Sequence, residues 1–384
     1  MGFPVANFLA QKIVDPIVCW FLRRSGYSRW IAPRFWKALK QDFFRADGIS
    51  LSRKIWAYKR GFFAERIHRY GLNENNSKTF LADFSYLKMH PINGAFSKWI
   101  DDKLTMRYVF SAHREFLPGY FYYLDGGRVL RLPDAPAQGN RSPVIDDLLA
   151  LLIDRGSLAM KPIAGSRGEG FCKLTAGSSG LSVNDRAVTA EELKGFLCSV
   201  RRHIVTEYLN SHSDIRRIYD ATPNTLRLMV IHDSRDGPQL VGAFMRFGCA
   251  ATGNVDNASA GGIVCGVDMA TGQLFMPKVF VAGKIADLLV HPDSGCHIDG
   301  LVLPNWRAIK NGIVSISADY PQLVYMGYDV VVTENGFKIL EINSLQDIRT
   351  MQMWYPLMNH AHARRFFEAR YKPALSRDAV WRCG

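Results

Sequence analysis

Residues 327–344 read GYDVVVTENGFKILEINS. Two runs rich in Val, Ile and Phe flank Glu334-Asn335-Gly336, the pattern of strand, tight turn and strand. Side chains alternate along a strand, so Glu341 and Asn343 share a face. Hairpin pairing can bring Asp329 beside them. Crowded carboxylates repel unless a proton or a cation intervenes. Hard oxygen ligands suit Mg2+, which also takes phosphate oxygens and water. Asp329, Glu341 and Asn343 are therefore candidate metal ligands. A hairpin with an ordinary polar face is the plain alternative.

Upstream, NTLRLMVIHD (224–233) and PQLVGAFMRFGCA (238–250) read as adjacent strands joined by a polar loop. Each carries one arginine, Arg227 and Arg246, within apolar alternation. A buried arginine must be paired or face a polar cleft, so the two suggest an anionic ligand between the strands. Salt bridging at a sheet surface is the competing reading. The small-residue loop GNVDNASAGG (253–262) follows, with many donors and little bulk.

Farther upstream, LAMKPIAGSRGEGFCKL (158–174) reads as a strand delivering Lys161, a loop with Gly165, Ser166, Gly168 and Gly170, then a second strand. Such a loop can lay backbone N–H groups over phosphates, and the lysine before it is a point charge suited to phosphate oxygens. It is neither a P-loop nor a G-x-G-x-x-G dinucleotide turn. RHIVTEYL (202–209) ends a strand at Glu207, a carboxylate able to accept from a sugar hydroxyl. The Tyr208–Leu209 backbone can read an adenine edge. DDKLTMRYVFS (101–111) is a short helical pattern carrying Lys103.

A lysine before a Gly-rich loop, an acidic corner after it and a late D…E-x-N hairpin together resemble the ATP-grasp superfamily. The match is to its sugar-transfer-associated branch, related to alpha-L-glutamate ligases, over roughly residues 95–350. The resemblance implies an α+β ATP-grasp fold, two α+β subdomains clasping ATP, as residues 95–210 and 211–350. It implies that Lys103 and Lys161 contact ATP phosphates and that Gly165, Ser166, Gly168 and Gly170 close over them. Glu207 then sits at the adenosine end, with Tyr208 and Leu209. By the same resemblance Asp329, Glu341 and Asn343 hold Mg2+, as two ions bridging the phosphates. Arg227 and Arg246, with Lys161, serve the transferred phosphoryl or an acyl-phosphate, and Asn257 lines the acceptor side. The implied activity is ATP-dependent carboxylate–amine ligation through an acyl-phosphate, on a uronic acid or amino acid of a cell-surface polysaccharide or peptide pathway. A kinase on the same scaffold and a non-catalytic nucleotide-sensing protein are the alternatives.

The chain departs from the family's usual pattern at its front. Residues 1–94 read as helices rather than as the pre-ATP-grasp α/β domain. Residues 1–70 hold fourteen Lys/Arg against four Asp/Glu, a net of +10 out of +13 for all 384 residues. Charge confined to one end argues against a nucleic-acid groove spread over the fold. Four of the eight tryptophans, Trp20, Trp30, Trp36 and Trp56, lie in this region. Basic aromatic helices of this kind either lie on an anionic membrane or pack their aromatic face on the main domain. The seven cysteines form no C-x-x-C pair, and His291, Cys296, His297 and Asp299 lack zinc spacing. Reduced thiols and a start without the early charge of a secretory signal lead us to expect a cytoplasmic protein, with peripheral contact at the inner membrane face as a variant. Residues 351–384 are expected to form a last helix and tail. Oligomeric state is not legible.

Overall fold

A computed structural model of the chain describes residues 14–46, 48–136, 143–165, 168–258, 261–281 and 284–371. The fold is α+β, with two seven-stranded antiparallel sheets. The first contains β1 (Tyr120–Asp125), β2 (Arg128–Arg131), β3 (Ser157–Pro162), β4 (Cys172–Gly177), β5 (Gly180–Val183), β6 (Arg186–Val188) and β7 (His203–Glu207), in the order β2-β1-β7-β3-β4-β5-β6. Helices Val144–Arg155 and Ala190–Ser199 cover one face, packing Leu148, Leu152, Leu193 and Leu197 against Leu158, Met160 and Val205. The first helix stops where Gly156 takes φ +70°, the left-handed geometry glycine adopts without cost. The second begins with a reciprocal capping box between Thr189 and Glu192. Because Leu158 and Met160 point into this helical layer, strand alternation turns Ala159 and Lys161 to the opposite face.

The second sheet contains β8 (Leu226–Asp233), β9 (Gly237–Phe247), β10 (Ile263–Val267), β11 (Leu274–Val281), β12 (Lys284–Asp287), β13 (Tyr325–Thr333) and β14 (Gly336–Asn343), in the order β12-β11-β10-β9-β8-β13-β14. Both faces are covered, which is why its strands read as nearly continuous apolar runs. Leu228, Val230 and Val330 meet Trp306, Ile309 and Ile313 of helix Trp306–Ala318. Met229, Ile231 and Tyr325 meet Phe366 and Phe367 of helix Ala361–Tyr371. Asn305 precedes the first of these helices without a capping bond: it sits at φ +58°, and its amide donates to the Thr333 carbonyl at 3.4 Å.

Among the described residues before β1 there are helices and turns but no strand. Helices Asp15–Arg24, Ile31–Arg45 and Leu51–Lys59 form a layer with the short helix Asp83–Met89. Three connections fix it to the chain just after the late hairpin or at its start. The Gln352 side chain accepts from Leu81 N–H at 2.7 Å and donates to Leu81 O at 3.1 Å. The Tyr86 hydroxyl donates to Gln346 O at 2.9 Å. The Asn93 amide accepts from and donates to the Tyr325 backbone at 2.9 and 2.7 Å, extending the edge of β13 with a side chain. Buried backbone groups need such partners.

Candidate functional site

At the open end of the late hairpin Asp329 lies opposite Glu341 and Gly327 opposite Asn343. The register then slips, so that Val330 faces Ile339 and Leu340 is the extra residue of a β-bulge. That bulge frees the Leu340 carbonyl, which accepts from Lys161 Nζ at 3.3 Å. A local irregularity in the second sheet thereby meets the face of β3 that turns away from its helices. Lys103 reaches the same place from the other side, its ammonium 2.9 Å from Glu341 Oε2. Its backbone N–H donates to Ile163 O at 2.8 Å, tying its helix to the end of the β3 strand.

A row of charge runs across adjacent strands of the second sheet. Arg227 lies opposite Asp329, which lies opposite Glu341. Arg227 grips Asp329 in a fork, Nε to Oδ1 at 2.5 Å and Nη2 to Oδ2 at 2.8 Å. Arg246 adds a contact to Asp329 Oδ1 at 3.1 Å and another to Asp256 at 3.5 Å. Thr225 links these groups: its hydroxyl accepts from Arg246 Nε at 2.8 Å and donates to Asp256. Both arginines therefore face a protein carboxylate, the salt bridging that the sequence left open beside an anionic ligand. The physical reason is burial, since an arginine with so little access to water as Arg227 requires a fixed counter-charge.

Burial pushes the Asp329 carboxyl up, against the pull of Arg227 and Arg246. Burial would also raise Glu341, but the Lys103 ammonium holds it well below the ordinary carboxylate range. Neighbouring carboxyls whose protonation is split in this way are a place where a divalent cation can replace a proton. Asn343 completes the oxygen set on the same face, its amide N–H donating to Glu341 Oε1 at 3.2 Å. Among the described residues no group of three or more His, Cys, Asp and Glu is arranged to hold a metal. Two carboxylates and an amide leave most of an octahedron to water and phosphate, which is the usual habit of Mg2+.

The contact set holds four cations, Lys103, Lys161, Arg227 and Arg246, against three carboxylates, Asp256, Asp329 and Glu341. The surplus rests on Lys161, whose ammonium meets a carbonyl and, among the described residues, no carboxylate at ion-pair distance. Burial, and then the charge of Lys103, brings its pKa down to about 8 from 10.5. Below that pH the buried ammonium persists and favours an anion. Between about pH 8 and 10.5 the folded chain has lost a proton that the unfolded chain keeps, so this lysine makes stability rise with pH there. Anion binding has the opposite dependence. Nucleotide affinity is expected to weaken by up to about tenfold per pH unit above about pH 8, and Lys161→Arg, always charged, should flatten the curve measured by nucleotide titration.

The glycine loop joins β3 to β4. Gly168 and Gly170 both take φ +73°, and a Cβ on Gly168 would stand 2.8 Å from Val255 Cγ1. The loop thus lies directly against the segment that carries Asp256 and Asn257. The Asn257 carbonyl accepts from Gly262 N–H at 3.1 Å, closing that segment on itself. Gly165, at φ +157°, starts the glycine loop, and Ser166 lies outside the described residues. Glu207 ends β7 but is not in the charged cluster: its Oε2 accepts from Gly119 N–H at 3.1 Å. Tyr208 stacks beneath Lys173, with Nζ 4.7 Å from the ring centroid, and Leu209 is buried. The structure also brings in Thr225, Asp256 and the Leu340 carbonyl, which were not singled out from the sequence. A carboxylate in a run of small residues just after an arginine-bearing strand was the available signal for Asp256. The bulge left no signal.

A family model described as sugar-transfer associated ATP-grasp matches residues 92–361. No curated protein matches the sequence. Solved structures align at low identity. An L-amino acid ligase from Bacillus licheniformis aligns at 6% identity and TM-score 0.39, over 72% of this chain and 48% of that one. A D-alanine–D-alanine ligase from Bacillus anthracis aligns at 12% and 0.35, over 72% and 69%. A D-alanyl-alanine synthetase A from Vibrio cholerae aligns at 11% and 0.38, over 71% and 64%. This chain spans about half the length of the first of these. The family match extends over more than two thirds of the 384 residues and takes in both sheets and every charged side chain of the cluster. The chain belongs to the sugar-transfer-associated ATP-grasp family.

Proposed function

We propose that the chain is an ATP-dependent carboxylate–amine ligase whose reacting groups meet between the two sheets. The observation that carries this reading is the convergence of Lys103 and Lys161, from the first sheet's side, on the Asp329–Glu341 pair of the second. Asp329, Glu341 and Asn343 would hold magnesium, which when bound neutralises charge on phosphate oxygens. Lys103, now paired with Glu341, exchanges that carboxylate for a phosphate as nucleotide enters. Lys161 supplies the second ammonium. Phosphoryl transfer asks the protein mainly for positioning and charge, which this cluster offers without a side-chain nucleophile.

In the proposed reaction a substrate carboxylate oxygen attacks the γ-phosphorus, and the bond to the ADP oxygen breaks. An amine then attacks the acyl carbon, loses a proton and expels inorganic phosphate, leaving an amide. Arg227 orients Asp329 through its fork. Arg246, between Asp256 and Asp329, is the guanidinium nearest the acceptor segment and is assigned to the developing oxyanion. The glycine loop, resting on Val255, excludes water from the intermediate.

The family's association with sugar transfer supports a uronic acid as the carboxylate, since it unites sugar and acid in one molecule. An amino-acid carboxylate uses the same chemistry. The test is ADP release with paired amines and carboxylates, followed by mass spectrometry of products. An amide is expected. A phosphoester would assign the cluster to a kinase, and nucleotide binding without any product would assign it to sensing.

A further inference from the structure

Eighteen large apolar side chains are exposed among the described residues, and nine of them lie between Val14 and Ile55. That concentration has a specific geometry. Helix Asp15–Arg24 covers Cys19, Val18 and Leu22 on its inner side, where Asp15 also accepts from Trp36 Nε1 at 2.6 Å and from Lys40 Nζ at 2.7 Å. Val14, Ile17 and Phe21, at i, i+3 and i+7, form a second, outward apolar stripe and are 46, 51 and 61% exposed. A helix at the surface of a globular protein ordinarily has one apolar stripe, facing the core.

A second apolar group lies on the next two helices. Phe44 is 76% exposed, with Phe43, Leu51 and Ile55 also exposed. Lys54 joins the two helices by donating to the Phe43 carbonyl at 2.6 Å. The contact of Asp15 with Lys40 sets the start of the first helix beside the last turns of the second. The helix that carries the first apolar group thus packs beside one that carries the second.

Charge on this layer is one-sided. Residues 14–60 contain eleven Lys/Arg and three Asp. Nine of those cations are exposed. The two described carboxylates are turned inward, Asp15 as above and Asp42 onto the Tyr58 hydroxyl at 2.9 Å and the Ala64 N–H at 2.7 Å. Arg24 lies over Trp20 and Arg60 over Trp56, each 4.4 Å from the ring centroid. A polyanion such as nucleic acid would satisfy the arginines but leave Ile17, Phe21 and Leu51 in water. A lipid surface with anionic headgroups satisfies both sets at once.

We propose that this face lies on an anionic lipid bilayer, with Ile17, Phe21 and Phe44 entering the boundary between headgroups and acyl chains and the arginines meeting lipid phosphates. The contact proposed is a peripheral one; among the described residues no helix is long and apolar enough to cross a membrane. It would hold the sheets beside lipid-linked or membrane-associated substrate, independently of which reaction they carry out.

The experiment is co-sedimentation of the full chain with vesicles of phosphatidylcholine alone and of phosphatidylcholine with phosphatidylserine. Binding to the anionic vesicles should exceed binding to the neutral ones by about tenfold or more and fall with added salt. The double variant Phe21→Glu, Phe44→Glu should lose about tenfold of that binding with an unchanged thermal midpoint, because both side chains are already exposed. Equal or absent binding to the two vesicle types, or undiminished binding by the variant, overturns the proposal. So does a solution dimer that the same variant disperses, which would assign the face to a second copy. Vesicle binding that appears only after removal of residues 1–13 would assign the face to that segment instead.

Discussion

Glu341→Gln is expected to lower magnesium-dependent ADP release by about a thousandfold or more, with the thermal midpoint moving far less than turnover. The substitution keeps the shape of the side chain and an oxygen for Lys103, which stands 2.9 Å from Glu341 Oε2. It removes a carboxylate that faces Lys103 and Asp329 together. Asp329 is already held by Arg227 and Arg246, so it cannot replace the lost charge. Raising magnesium should recover part of the activity if the defect lies in metal binding. Single-turnover measurements across a magnesium series would separate this from loss of nucleotide affinity. Turnover near that of the unaltered chain would sink the assignment of the hairpin as the metal clamp.

Asp83→Leu is expected to destabilise the chain by about 3–5 kcal/mol, read from chemical denaturation. Arg66 is 1% exposed, and its Nη2 and Nε bind Asp83 at 3.0 and 3.2 Å. Asp83 also accepts from Phe63 N–H at 3.2 Å. Removing the carboxylate strands a buried guanidinium with, among the described residues, only the Glu65 carboxylate at ion-pair distance, at 2.6 Å. The double variant Arg66→Met, Asp83→Leu should be less damaged than Asp83→Leu alone, because it removes the uncompensated charge as well as the attraction. The effect should reach the hairpin, since the same layer holds Tyr325, Gln346 and Gln352 through Asn93, Tyr86 and Leu81. Faster amide exchange in β13 of Asp83→Leu would report that coupling.

Several parts of the site were legible before any coordinates. Alternation placed Glu341 and Asn343 on one face, but the turn register alone would set Asp329 opposite Leu340, and only the bulge brings it opposite Glu341. The lysine at the end of an apolar strand and the glycines after it also stood out, because few other residue patterns combine a fixed cation with a backbone free to take positive φ. Arg227 and Arg246 were visible as charges within apolar strands. Their partner was not, because a strand sequence does not say which neighbour it will lie beside.

Glu207 marks the same boundary from another side. Its place at a strand end was readable, yet its carboxylate accepts from Gly119, a residue 88 positions earlier in the chain. The Leu340 bulge was hidden for a different reason. The hydrophobic pattern of β14 continues through it, so only the register against β13 reveals that one carbonyl has been released toward Lys161.

The helical front end divides along the same line. Periodicity and composition determined that it is helical, basic and aromatic. They did not determine which of the two apolar stripes of Asp15–Arg24 turns inward: Cys19 and Leu22 are covered, beside the Asp15–Lys40–Trp36 contacts, and Ile17 and Phe21 stay exposed. The sequence by itself thus determined the strands, the helices and most of the charged side chains that meet in the cluster, because those depend on local periods and residue type. Only the tertiary structure decided which charges neutralise one another, which carbonyl is released and which apolar surface stays exposed, because burial and counter-charge are set by neighbours far away in the chain.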